Sequence, residues 1–131
     1  MILQEKVLII IPAYNEASTI TQLIKSLKSF NDQWDIIIVN DGSSDETGTL
    51  AEETGLVSVV NLPYNLGIGA AVQTGFKYAF EKKYDYALQF DGDGQHQVNE
   101  VEKILNIVVN NEADIAIGSR FNKEYKGYKT Q

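Results

Sequence analysis

The chain has 131 residues, which suits one domain with a real core, and its apolar content of 44% is ordinary for a globular protein. The net charge is −7, and no stretch concentrates Lys and Arg enough to follow a nucleic-acid backbone, so we expect no nucleic-acid partner. The absence of cysteine excludes disulfides and thiol catalysis and agrees with a reducing compartment such as the cytoplasm. The apolar run 7–11 is too short for a signal sequence or a membrane span.

Aliphatic runs alternate with helical patterns along the whole chain. Apolar residues spaced by three and four predict helices over about residues 17–29, 67–82 and 98–110, and a shorter helix reaching about Thr54. The runs between them are continuous, as expected of strands that are buried on both faces. The predicted strands cover residues 6–11, 35–40, 57–60, 86–90 and 114–117.

Local signals predict where these elements end. Pro12 ends the first strand, and Ser18 or Asn15 is available as the N-cap of the first helix. Residues 121–131 are polar and show no clear periodicity. In the third helix, one stripe is predicted to face the sheet through Ile68, Ala71, Val72, Gly75, Phe76 and Ala79.

Strands and helices that alternate in this way predict an α/β fold. The expected form is a Rossmann-like, mainly parallel sheet with helices on both faces. Ligands of such sheets bind outside the carboxyl ends of the strands. The polar strings of this chain each follow a predicted strand, at residues 12–16, 41–45, 91–96 and 118–120, so we expect them to line one crevice.

The fourth strand ends in two carboxylates, Asp91 and Asp93, with Gln95 and the chain's single histidine, His96, directly after them. Carboxylates held together at a strand end usually need a cation, and oxygen ligands suit Mg²⁺, Mn²⁺ or Ca²⁺. Three other readings stay open: a polar turn that caps the next helix, an EF-hand calcium loop, or a structural histidine bonded to a backbone carbonyl. The calcium loop lacks its obligatory glycine, because His96 occupies that position.

A nucleoside diphosphate compound is the ligand that these motifs favour. The glycine fingerprint of dinucleotide sites is missing after the first strand, and no Walker lysine motif is present. A divalent cation would let this acidic protein bind a diphosphate. Asp41 could accept a hydrogen bond from a base N–H or a ribose hydroxyl, or act as a helix N-cap. Tyr14 could stack on a base or pack beside the sheet.

The ordered motifs resemble those of the inverting family-2 glycosyltransferases, most closely the dolichyl-phosphate mannose synthase-like branch. The resemblance covers nearly the whole chain, from about Val7 to Phe121. Each motif alone is weak, but several in the right order and strand context are specific. They lie at residues 12–16, 39–45, 65–71, 91–96 and 118–121.

The resemblance implies a GT-A fold and transfer of a sugar, with inversion, from a nucleotide-diphosphate sugar to a polyprenyl phosphate or a saccharide. It implies Mn²⁺ or Mg²⁺ held by Asp91, Asp93 and Gln95. Ile68 stands where many relatives have a basic residue, and no role is carried over to it. The donor-binding residues expected at the matching motifs are Pro12, Ala13, Tyr14, Asn15, Glu16, Asp41, Gly42, Ser43, Asn65, Gly67, Asp91, Asp93 and Arg120.

Family members normally continue well beyond the length of this chain. We therefore expect residues 1–121 to be the nucleotide-sugar-binding part of a GT-A domain truncated at its C-terminus, and residues 122–131 to be a polar tail that begins an acceptor-side segment. A general base, if one is used, would lie beyond Gln131. Apolar surface at the truncated sheet edge would favour a homodimer.

Two locations and two other functions stay open. The implied location is the cytoplasm, or the cytoplasmic face of a membrane for a full-length protein. One alternative function is a non-catalytic nucleotide- or cation-binding fragment. A sugar-phosphate nucleotidyltransferase is less favoured, because residues 12–16 do not supply the basic, glycine-rich loop that usually follows its first strand.

Overall fold

The structure is a computed structural model that describes residues 6–91, 99–109, 115–119 and 122–128. Strands and helices alternate through most of this part of the chain, as the sequence predicts. The elements are β1 (Val7–Ala13), α1 (Ile20–Phe30), β2 (Asp35–Asn40), α2 (Thr47–Glu53), β3 (Ser58–Asn61), α3 (Ile68–Glu81), β4 (Tyr86–Gln89), α4 (Asn99–Val109), β5 (Ile115–Ser119) and β6 (Asn122–Tyr128).

The strands form one six-stranded sheet in the order β3-β2-β1-β4-β5-β6. The pairs from β3 to β5 are parallel, and β6 is antiparallel to β5. This arrangement confirms the predicted mainly parallel sheet. The chain runs outward from β1 in one direction and from β4 in the other, so the switch point lies between β1 and β4, where sheets of this type bind ligands.

The core occupies both faces of the sheet. Successive side chains of a strand point to opposite faces, and in β1 both sets are buried. Ile9 and Ile11 pack with α1 and α2 in one cluster, whereas Leu8 and Ile10 pack with α3 in another. A strand buried on both sides has no polar face, which explains the continuous aliphatic run in the sequence.

The prediction that Pro12 ends the first strand is wrong, because β1 continues through Pro12 to Ala13. A strand tolerates proline where no neighbouring strand would accept the N–H that proline lacks. The carbonyl of Ile10 accepts the amide of Phe90 at 2.8 Å, so Ile10, and Pro12 two residues later, face β4. β4 pairs only as far as Gln89, opposite Ile10, and the missing N–H of Pro12 therefore breaks no ladder bond.

The first helix begins later than predicted, at Ile20 instead of about Ala17, and its N-cap is Thr19. Neither Ser18 nor Asn15 caps it. The carbonyl of Glu16 accepts the amides of Thr19 and Ile20 at 3.0 and 2.9 Å and closes a turn ahead of the helix.

The third helix packs through a narrower stripe than predicted. Its buried residues are Ala71, Gly75 and Ala79, which recur every four positions. Ile68 lies at the start of the helix, before this stripe, and is 60% exposed. The prediction that Ile68 faces the sheet is therefore wrong.

The sequence pattern did not predict β6. Residues 122–128 pair antiparallel with β5, with Ile115 opposite Tyr128 and Ser119 opposite Asn122. An edge strand is held by backbone hydrogen bonds and does not need an apolar face, so its sequence lacks the expected alternation. Among the described residues, no helix is long and apolar enough to cross a membrane.

Gly75 sets the distance between α3 and the sheet. A Cβ atom at this position would lie 2.3 Å from Cγ2 of Ile10, well inside contact distance. Ile10 is fully buried, and a β-branched side chain in a close-packed core has few other rotamers to adopt. The absence of a side chain at Gly75 is therefore a packing requirement of the fold.

We expect Gly75→Ala to lower the free energy of unfolding by roughly 1–3 kcal/mol, because the added methyl overpacks the core. Urea denaturation measures the change. Gly69→Ala is the matched control in the same helix, since no atom lies within 4 Å of a Cβ there. Equal stability of the two variants would show that α3 adjusts its position freely.

Candidate functional site

Three loops meet at the carboxyl edge of the sheet, beside the switch point. They are the β1–α1 loop (residues 14–19), the β2–α2 loop (residues 41–46) and the β3–α3 loop (residues 62–67). Asp91 follows β4 at the same edge. These loops contain most of the predicted site residues, and hydrogen bonds attach the two outer loops to the β2–α2 loop.

Asn15 joins the β1–α1 loop to the β2–α2 loop. Its side-chain oxygen accepts the amide of Ser44 at 2.8 Å and the hydroxyl of Ser44 at 3.2 Å. The backbone amide of Asn15 donates to the hydroxyl of Ser43 at 2.9 Å. Asn15 has φ = 53°, in the left-handed region that asparagine tolerates better than most residues. The side chains of Asn15 and Ser43 therefore connect two loops of the predicted site.

The next two amides of the β1–α1 loop continue this connection. The amide of Glu16 donates to the hydroxyl of Thr47 at 2.9 Å, and the amide of Ala17 donates to the Asp45 carboxylate at 3.2 Å. The other oxygen of Asp45 accepts the amide of Thr47 at 3.0 Å and also accepts its hydroxyl. Asp45 and Thr47 thus bond both to one another and to the neighbouring loop.

Asp41 attaches the β3–α3 loop to the end of β2. Its side chain is only 4% exposed, and its two oxygens accept the amides of Leu66 at 2.8 Å and Gly67 at 3.0 Å. Gly67 is the N-cap residue of α3, where free backbone amides favour an anion. The reading of Asp41 as a helix N-cap is wrong, because the N-cap residue is Glu46 for α2 and Gly67 for α3.

Gly42 allows the β3–α3 loop to lie directly on the end of β2. It has φ = 67°, and a Cβ atom there would lie 2.3 Å from the backbone nitrogen of Asn65. Backbone atoms cannot move aside as the end of a flexible side chain can. Glycine is therefore required at this position both for its conformation and for the close approach of Asn65.

The predicted donor-binding residues differ in how much of their side chains is exposed to solvent. Pro12 and Ala13 are buried within β1, so they shape the strand end but do not present side chains to a ligand. Tyr14 is 47% exposed directly after them. Tyr64 in the β3–α3 loop is 65% exposed. The exposed ring faces at this edge are therefore candidates for stacking on a base.

Asp91 lies where the metal hypothesis needs a carboxylate, at the carboxyl end of β4. The amide of Gln89's side chain donates to Asp91 at 3.5 Å. No group of three metal-binding side chains occurs among the described residues. The remaining predicted site residues, Asp93, Gln95, His96 and Arg120, lie outside them.

The structure excludes the EF-hand reading. A calcium loop of that kind begins at the end of a helix. Residues Tyr86–Gln89, which precede Asp91, form a strand at the interior of the sheet.

Asp45 and Thr47 were not among the predicted donor-binding residues, although Asp45 ends the polar string 41–45. The signal was present in the sequence, since Asp45 stands two residues before Thr47 at the start of a helix, where a carboxylate commonly accepts a backbone amide. What the sequence did not show is that the same two side chains accept amides from the β1–α1 loop. That contact spans 31 residues between Glu16 and Thr47 and depends on the pairing of β1 with β2.

Residues 8–131 match the family model Glycosyl transferase family 2, and the chain belongs to that family. It is 35% identical over 122 residues to a polyprenol monophosphomannose synthase of Mycolicibacterium smegmatis, covering 89% of this chain and 46% of that protein. It is 34% identical over 136 residues to a UDP-N-acetylglucosamine–dolichyl-phosphate N-acetylglucosaminyltransferase of Methanococcus voltae, covering 90% of this chain and 54% of that protein. The chain thus spans about half the length of these curated relatives.

Solved structures share the fold. A glucosyl-3-phosphoglycerate synthase from Mycobacterium tuberculosis, crystallised with Mn²⁺, UDP and glucosyl-3-phosphoglycerate, superposes with a TM-score of 0.62 at 22% identity. The match covers 79% of this chain and 39% of the synthase. The fold is the GT-A fold that the sequence predicted.

We expect Asp41→Ala to lower the free energy of unfolding by roughly 1–3 kcal/mol, because the amides of Leu66 and Gly67 lose their acceptor. Urea denaturation measures the loss. The control is Asp32→Ala, which removes an exposed aspartate from another loop and should change stability by less than about 0.5 kcal/mol. If the two variants are equally stable, the Asp41 contacts do not hold the loop.

We expect Asp45 to make the free energy of unfolding depend on pH. The hydroxyl of Thr47 lowers the pKa of Asp45 from its ordinary value of 3.8; desolvation opposes this, and the amides of Thr47 and Ala17 add to the lowering. A lowered pKa stabilises the fold above the unfolded-state value, and this contribution is lost as the pH falls through the folded-state value. Below about pH 4 we therefore expect wild-type protein to lose more stability than Asp45→Asn, which cannot titrate at this position.

Urea titrations of both proteins between about pH 3 and 7 measure this difference. Asp32→Asn removes a carboxylate elsewhere and serves as the control. Parallel pH profiles for the wild type and Asp45→Asn would contradict the role of the charged Asp45.

Proposed function

We propose that this chain is the donor-binding part of an inverting glycosyltransferase that takes its sugar from a nucleotide-diphosphate sugar. The observation that carries the proposal is the placement of the β1–α1 loop and of Asp91 at the carboxyl ends of adjacent strands, at the switch point of the sheet. Membership of glycosyl transferase family 2 supports the reaction class.

The nucleoside would lie against the β1–α1 and β2–α2 loops. Tyr14 offers an exposed ring, and Glu16 is partly buried just beyond it. The Asp41 carboxylate is 4% exposed and already accepts two backbone amides, so a base N–H or a ribose hydroxyl would bind the remaining lone pairs at its small exposed part. These groups bind through stacking and hydrogen bonds without adding positive charge.

A diphosphate would need a bound cation here, because this edge supplies carboxylates, and carboxylates repel the negatively charged diphosphate. Asp91, at the end of β4, fits a site for Mn²⁺ or Mg²⁺, and Asp93 and Gln95 would complete the ligand set. Bound there, the ion would neutralise the charge that develops on the departing nucleotide. Arg120 would add a second positive charge near the phosphates. The Mn²⁺ and UDP in the Mycobacterium tuberculosis synthase support this class of ligand.

The acceptor is proposed to be a polyprenyl phosphate, with a saccharide as the alternative. The names of the Mycolicibacterium and Methanococcus relatives support a lipid-phosphate acceptor. A phosphate oxygen is already anionic and can attack the anomeric carbon without a strong base, whereas a sugar hydroxyl needs one.

Nucleotide binding tests the proposal. We expect one of UDP, GDP, dTDP or CMP to raise the melting temperature of the chain, and to do so only when Mn²⁺ is present. A nucleotide at about 100 times its Kd adds about 2.7 kcal/mol of stability. Differential scanning fluorimetry measures the shift, and titration calorimetry the Kd.

Asp93→Asn should remove the metal-dependent shift and leave the melting temperature of the free protein unchanged. Asp32→Asn is the control and should bind nucleotide as the wild type does. Stabilisation by Ca²⁺ alone, with no nucleotide effect, would contradict the proposal and favour a cation-binding module. Nucleotide affinity that Asp93→Asn leaves unchanged would contradict the metal assignment.

A further inference from the structure

We propose that Thr47 and Asp45 are positioning residues that hold the β1–α1 loop in the shape required by the nucleotide. The proposal rests on the function proposed above. Neither residue is assigned a contact with the donor. They act through the loop that contains Tyr14 and Glu16, by accepting the amides of Glu16 at 2.9 Å and Ala17 at 3.2 Å.

Asp45 determines which way the Thr47 hydroxyl points. A threonine hydroxyl has one proton to donate and lone pairs that accept. The structure commits the proton to Asp45, which leaves a lone pair for the amide of Glu16. Asp45 therefore acts on Glu16 through Thr47, and on Ala17 directly.

Thr47 is rigid enough to serve as an anchor. Its side chain is fully buried, at 0% exposure, and Ala51 one turn later is equally buried in the core. Gly48 fits closely against side chains of β2 and β3, since a Cβ there would lie 2.6 Å from the Asn40 amide nitrogen. The first turn of α2 is therefore fixed relative to the sheet, and the Thr47 hydroxyl is fixed with it.

The β1–α1 loop needs such an anchor because its own conformation is costly. Asn15 adopts φ = 53°, which asparagine tolerates better than most residues but which still disfavours a side chain, and its bonds to Ser43 and Ser44 hold it there. Immediately before it, the carbonyl of Ala13 accepts the amide of Asp41 at 2.8 Å. Tyr14 thus lies between two residues that hydrogen bonds hold in place, and it is 47% exposed.

A loop held in this way binds a ligand without first losing conformational freedom. Ordering a mobile side chain or loop on binding reduces affinity, and preorganisation avoids that cost. Without the Thr47 and Asp45 contacts, the amides of Glu16 and Ala17 would bond to water, and Tyr14 would sample other positions. The expected consequence is weaker nucleotide binding with the fold retained.

The test compares Thr47→Val with Thr47→Ser in the 131-residue chain. Valine has the shape of threonine without the hydroxyl, whereas serine keeps the hydroxyl. Thr54→Val is the matched control, because the hydroxyl of Thr54, the C-cap residue of the same helix, bonds to the Ala51 carbonyl at 2.7 Å and the Leu56 amide at 3.2 Å instead of the β1–α1 loop. Asp45→Ala, at an exposed position, gives a second variant that leaves no cavity should Thr47→Val fail to fold.

Two readouts are measured on each protein: hydrogen exchange of the Glu16 and Ala17 amides, and the Kd of the nucleotide that stabilises the wild type with Mn²⁺. We expect Thr47→Val and Asp45→Ala to exchange at least about tenfold faster at one or both amides and to bind about tenfold more weakly, as expected when one hydrogen bond that holds the loop is lost. Thr47→Ser and Thr54→Val should stay within about twofold of the wild type in both readouts.

Faster exchange with an unchanged Kd would overturn the positioning role, and unchanged exchange would overturn the anchor itself. A wild-type chain that binds none of the nucleotides would overturn the proposed function and this inference together. That outcome is distinguishable, because it appears before any substitution is made.

Discussion

The carboxyl edge of this sheet depends on one buried carboxylate. Asp41 is 4% exposed and accepts the amides of Leu66 and Gly67, while its own amide donates to the Ala13 carbonyl. Burying a carboxylate is costly unless it is hydrogen-bonded, so the two amides of the β3–α3 loop stabilise Asp41 at the end of β2. The same contacts orient the N-terminus of α3 toward the end of β2, where its amides favour negative charge.

The β2–α2 loop is therefore the common support of both its neighbours. Asp41 binds the β3–α3 loop on one side, and Asn15, Asp45 and Thr47 join the β1–α1 loop on the other. Glycine at position 42 lets the backbone of the β3–α3 loop approach. Most bonds in this support use backbone amides, so they shape the loops without using the exposed side chains of Tyr14 and Tyr64.

Sequence and structure agree best where a residue's neighbours are close in the chain or where a strand is buried on both faces. The aliphatic runs predicted the core strands correctly, because a strand that is buried on both faces, as β1 is, has no polar positions. Disagreement occurs where a distant element decides. Pro12 stays in β1 because β4 ends opposite Ile10, and Ile68 is exposed because the buried stripe of α3 begins at Ala71. The sequence of β6 is mostly polar and shows no apolar alternation that would predict a strand.

From the sequence alone came the alternating strands and helices, the mainly parallel sheet, the family resemblance, and the candidate residues at the strand ends. Hydrophobic periodicity and the order of motifs are properties of the chain itself, which is why they are readable there. The tertiary structure decided which candidates meet: Asp41 with the start of α3, and Asn15 with Ser43 and Ser44. Only the folded chain brings together groups that lie 25 or more residues apart, because strand pairing, and not local preference, sets which loops become neighbours.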